Sequence, residues 1–174
     1  MKRLKHREYL TVALAVAALV AGALCPLPAA ADPGTLEITP PSNITLGSLY
    51  GTGDATNSSA TPGSVKCEGY PGYTLTIKSD DDDGKMYSGA NKLAAPLKVT
   101  AVLEKGTGAE VTPTGNPDNE AVTTTPITVG STSAPAPTET GTNAITLSVS
   151  QAKQLTGVAG DYSLNLTFTA TLKT

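Results

Sequence analysis

From Gly160 to Lys173 the chain alternates without a break. Tyr162, Leu164, Leu166, Phe168, Ala170 and Leu172 fall on one face, and Ser163, Asn165, Thr167, Thr169, Thr171 and Lys173 on the other. A period of two belongs to a strand with one face buried and one face wet. At roughly 3.3 Å per residue, a strand over residues 162–172 spans on the order of 35 Å, the full height of a small β-sandwich. Its apolar face needs a partner surface, so the rest of the chain is expected to be sheet as well.

The upstream residues support this. Residues 35–39 alternate as a strand, and Pro40-Pro41 stop it because proline donates nothing to a ladder. Ile44 and Leu46 resume the pattern. Residues 47–63 are rich in Gly, Ser, Thr and Asn and read as loop with room for a short edge strand. Residues 64–68, a turn at 69–72 and the alternating Tyr73, Leu75 and Ile77 read as a hairpin. Leu97, Val99, Ala101 and Leu103 form a core strand, opened by Pro96. Residues 105–143, heavy in Thr, Gly and Pro, are a long loop region with weak strands expected near 110–112 and 121–129, and an extended Ala134-Pro135-Ala136-Pro137. Ile145, Leu147 and Val149 alternate again. Residues 150–155, with Ser150 as cap, are the one helix-compatible stretch, of two turns at most.

The start of the chain reads differently. Lys2, Arg3, Lys5 and Arg7 precede an apolar run over residues 10–24, and Ala29-Ala30-Ala31 stand before Asp32. Basic start, apolar run and small-residue end make a secretory signal, with cleavage expected between Ala31 and Asp32. The apolar run falls short of the roughly 20 residues that span a bilayer, so no membrane anchor is expected after cleavage. The predicted organisation is a signal peptide, residues 1–31, followed by one domain, residues 32–174. The fold class is all-β: a single antiparallel immunoglobulin-like β-sandwich.

Removing residues 1–31 takes four of the 12 basic and one of the 15 acidic residues, leaving 8 − 14 = −6. The remaining cations are all lysines, so nothing offers the basic footprint or guanidinium fork that nucleic acid requires. The one histidine, His6, leaves with the signal, and with it go the usual general base and the commonest zinc ligand. Without a base or a Gly-x-Ser-x-Gly elbow, nucleophilic serine chemistry has no machinery, and no enzymatic activity and no cofactor are expected. Cys67 is the only cysteine left, and its alternation with Lys66 and Glu68 points the thiol into the core.

Asp80-Asp81-Asp82-Asp83 raise a calcium hypothesis. Aligned on Gly84, however, a helix-loop-helix calcium loop would find Ser79 at its first position and Ala90 at its last, where a bidentate glutamate belongs. The cluster reads first as a solvated acidic turn, and second as a loose oxygen-ligand site for calcium-dependent adhesion. The triplets at Asn43, Asn57 and Asn165 match the N-glycosylation pattern and read as chance matches.

Gly72-Tyr73-Thr74-Leu75-Thr76-Ile77 and the closing Ala159-Gly160-Asp161-Tyr162, followed by Leu166-Thr167-Phe168-Thr169-Ala170, resemble the WxL-domain surface proteins of Gram-positive bacteria. Tyr73-Thr74-Leu75 and Phe168-Thr169-Ala170 stand where that family carries its Trp-x-Leu pairs. The resemblance implies a secreted, cell-wall-associated protein whose partners are an envelope polymer or other surface proteins. The closing strand is also similar to those of bacterial pilin and spore-coat-type β-sandwich subunits. That likeness implies assembly into a homo-oligomer by strand exchange, with Leu36, Ile38, Ile44 and Leu46 as donor residues. The predicted core comprises Tyr73, Leu75, Ile77, Val99, Leu103, Tyr162, Leu164, Leu166 and Phe168.

Overall fold

Alternation is longest in a strand the sequence only partly announces. In the computed structural model, which describes residues 16–21, 35–68, 72–106, 115–132, 140–155 and 157–173, the strand β11 runs over Thr140–Ala152. Asn143, Ile145, Leu147, Val149 and Gln151 all point inward and are buried. The helix expected at 150–155 is absent, because Ser150, Gln151 and Ala152 stay paired in the ladder. Gln151 is fully buried and its Nε2 donates to the Ala95 carbonyl at 3.1 Å. A helix there would break both ties.

Eleven further strands surround β11 among the described residues: β1 (Val16–Ala21), β2 (Thr35–Thr39), β3 (Asp54–Ser58), β4 (Gly63–Glu68), β5 (Tyr73–Ser79), β6 (Tyr87–Ser88), β7 (Asn91–Lys92), β8 (Lys98–Glu104), β9 (Glu120–Ala121), β10 (Ile127–Ser131) and β12 (Leu166–Leu172). No helix occurs among the described residues. One sheet has the order β1-β12-β5-β10. The other has β2-β4-β11-β8-β9, with β3 also on β11, and β6 and β7 form a separate pair. β4 and β3 share one side of β11, β4 along residues 140–145 and β3 along 148–152, while β8 fills the other side.

The apolar faces meet in a single core. Leu75, Ile77, Val129, Leu166, Phe168 and Ala170 from the first sheet join Val65, Val99, Ala101, Leu103, Ile145 and Leu147 from the second. All nine residues of the predicted core are buried, Leu75, Ile77, Val99, Leu164, Leu166 and Phe168 completely. Cys67 is buried on β4, and burial pushes its thiol pKa up. The fold is therefore an all-β sandwich. Among the described residues every ladder is antiparallel except β1 with β12.

Two further expectations change. The hairpin across residues 64–77 does not form, since β4 pairs with β2 and β11 while β5 pairs with β12 and β10. The connection instead carries the chain from one sheet to the other. The last strand is shorter than its alternation: the ladder to β5 begins at Leu166, and Tyr162 and Leu164 are buried ahead of it with only an isolated bridge at Ser163. Within the apolar run at the start, Val16–Ala21 pair with β12 as a strand. The turn at 69–71, the weak strand near 110–112, the extended 134–137 and the Ala31/Asp32 junction lie outside the described residues.

Candidate functional site

The acidic turn follows β5, and each aspartate is spent on a different partner. Asp80 Oδ2 accepts from the Tyr87 hydroxyl at 2.9 Å and from Asn165 Nδ2 at 2.6 Å, and its Oδ1 from Asn165 N at 3.1 Å. Asp81 is buried. Its Oδ1 accepts from the backbone N–H groups of Asp83 at 3.1 Å and Lys85 at 3.0 Å, and its Oδ2 is paired with the Lys92 ammonium. The Lys92 bond first, and the two backbone N–H groups behind it, hold the Asp81 carboxyl below its ordinary pKa despite burial. Asp82 Oδ1 accepts from the Thr124 hydroxyl at 2.7 Å, while Asp83 is exposed with Lys85 at 3.7 Å.

The four carboxylates diverge, and no group of three or more His, Cys, Asp or Glu side chains converges to hold a metal ion among the described residues. The glycine used to align a calcium loop has another reason to be there. Gly84 sits at φ +66°, its N–H closes the turn onto the Asp81 carbonyl at 3.0 Å, and a Cβ would lie 1.9 Å from the Val122 carbonyl oxygen. The turn ties β5 to the loop before β12 and to the segment after β9.

The two stretches that carry the family resemblance lie side by side. Leu75 stands opposite Ala170 and Tyr73 opposite Leu172 across β5 and β12. Tyr73, Leu75, Phe168 and Ala170 are buried, so these positions build core and not surface. Tyr73 keeps a polar contact inside: its hydroxyl donates to Asn143 Oδ1 at 3.0 Å, and Asn143 Nδ2 donates to the Glu104 carbonyl at 2.9 Å. Burial first, then the neighbouring Cys67, pushes the phenol pKa up.

Sequence reasoning did not single out the outward face of the larger sheet. There the register aligns Thr56, Ser150 and Lys98 in one row and Ser58, Ser148 and Thr100 in the next, across β3, β11 and β8. Together with Asn57 and Asn119 they line a shallow open groove. Ser58 and Ser148 share a hydrogen bond at 2.8 Å, and Thr100 Oγ1 accepts from Asn119 N at 3.0 Å. Rows two residues apart and strands about 4.8 Å apart make a flat lattice of hydroxyls with one ammonium at its corner. The signal was present in the polar half of each alternation, but which polar faces adjoin depends on strand order.

Leu49, Tyr50, Leu93, Gln154, Val158 and Tyr162 line a small open hollow. Tyr50 is 73% exposed, Val158 58% and Leu155, three positions before Val158, 62%. The Tyr162 hydroxyl donates to the Val158 carbonyl at 2.8 Å and Gln154 Oε1 accepts from Ala94 N at 3.1 Å, so the polar groups here serve the loops themselves.

No protein-family model matches this chain, and no curated protein is significantly similar to it. Among the described residues no helix is long and apolar enough to cross a membrane.

Proposed function

We propose that the chain is an exported, non-enzymatic β-sandwich of the cell envelope that holds a hydroxyl-bearing envelope polymer on the outward face of its larger sheet. The observation that carries this reading is the in-register lattice of Thr56, Ser58, Thr100, Ser148 and Ser150 with Lys98. Hydroxyls both donate and accept, so a lattice of them suits a polymer that does the same, and the single ammonium suits an anionic substituent on it. Export rests on the pattern of residues 1–31, and the absence of catalysis on the lack of histidine in residues 32–174.

The test is retention on purified cell envelope. The wild-type protein is expected to co-sediment, and a Ser148→Val, Ser150→Val double variant with an unchanged melting temperature is expected to lose most of that retention. Equal retention of both proteins would move the binding surface elsewhere, and no retention of either would end the reading.

A second reading, a subunit assembling by strand exchange, has one observation in its favour: β12 already accepts an added parallel strand. The donor expected near the mature start does not fit it. Ile38, Ile44 and Leu46 are buried in the chain's own core, and residues 35–39 are paired to β4.

A further inference from the structure

The edges of the two sheets are treated unequally. Sheet edges invite unwanted pairing unless charge, proline, bulges or shortness blunt them. β2 carries Glu37 and ends at Pro40-Pro41, β9 is two residues long, and β10 has a bulge between Thr128 and Gly130. β12, Leu-Thr-Phe-Thr-Ala-Thr-Leu, has none of these devices. It is composed as an interior strand, with Leu166, Phe168 and Ala170 completely buried.

In the full chain it is an interior strand, because β1 covers its outer side. Val16, Ala18 and Val20 stand opposite Leu166, Phe168 and Ala170, and Ala17, Leu19 and Ala21 opposite Thr167, Thr169 and Thr171. β1 also touches β2, so it closes the side of the sandwich where the two sheets approach. Yet β1 lies wholly within the segment whose composition marks it for removal. Cleavage after Ala31 takes the covering strand away, and alternate residues along 166–171 then lose the backbone partners that β1 supplied beside the core.

We propose that the edge of β12, vacated on removal of residues 1–31, is a binding site for one extended, uncharged aliphatic segment of a partner protein. The segment adds parallel to β12 in the place of β1. The inference rests on the reading of residues 1–31 as a cleaved leader. The chemistry of the occupant is taken from the segment already seated there: Val-Ala-Ala-Leu-Val-Ala has no charge, no proline and no glycine, and it stands in register with residues 166–171 of β12.

The experiment uses the protein recovered from cells that express the full chain, with its start fixed by intact mass. The probe is a synthetic peptide of residues 15–22 flanked by solubilising lysines, and the control is the same peptide carrying Ala18→Asp, which sets a charge opposite Phe168. The processed protein is expected to bind the first peptide with slowed amide exchange across residues 166–172 and a melting temperature raised by several degrees, and to bind the control at least tenfold more weakly. Unchanged exchange and melting with the first peptide, or equal binding of both, would overturn the proposal. A dimer that protects residues 166–172 without peptide would overturn it too, by making a second copy the occupant. An intact mass that retains residues 1–31 would sink the leader reading instead, and the vacancy with it.

Discussion

Tyr73 carries a polar contact into the core. Its hydroxyl and the Asn143 amide satisfy each other out of reach of water, so Tyr73→Phe leaves the Asn143 oxygen buried without that donor. The variant is expected to lose roughly 1–3 kcal/mol in urea unfolding. Asp81 makes a second residue-scale prediction. Its carboxyl is held below the ordinary value of 3.8. A carboxyl so lowered contributes stability above its unfolded pKa, and that contribution is lost as pH falls through the folded one. Thermal melts of wild type and Asp81→Asn, taken stepwise from neutral to acid, should therefore differ most at neutral pH and converge below the ordinary carboxylate range. Gly84→Ala meets both a positive φ and the Val122 carbonyl. It should destabilise by at least the roughly 1–3 kcal/mol of a forced left-handed residue, read as a drop in melting temperature.

At the scale of elements, β11 is paired along its whole length, on both sides at residues 144–145 and 148–150, and buries Leu147 in the core. Leu147→Ala should cost about 2–5 kcal/mol in the same unfolding assay, as for other buried leucines. β11 also shows what alternation conveys and what it hides. The pattern Ile145, Leu147, Val149 announced a strand, and the buried face of every long strand was legible in the same way. The extension to Ala152 was hidden because Gln151 is polar, and a buried glutamine in a strand looks like a helix residue until its partner Ala95 is known. The false hairpin at 64–77 has a similar origin. Two strands with a turn between them read alike whether the turn folds them together or passes the chain across the sandwich, and only the pairing of β4 with β2 and β11 decides. The hydroxyl lattice was hidden for the same reason, since it is assembled from three strands far apart in sequence.

For the molecule as a whole, what the sequence revealed was burial, and what it concealed was adjacency. One whole-molecule check follows from burial alone: Cys67, the only cysteine of residues 32–174, has its thiol raised by desolvation. A protein of residues 32–174 should leave a thiol reagent unreacted when native and take up one equivalent when unfolded; prompt reaction of the native protein would show that the sandwich opens readily.

The pairing of β12 with β5 has a consequence in time. Thr76 and Thr169 touch across that ladder although 93 positions separate them in the chain. Contacts of such range form late, because the long intervening loop must close before they are rewarded. The first sheet cannot be completed until residues 166–172 have been synthesised, so a nascent fragment that stops short of them leaves β5 without its β12 partner.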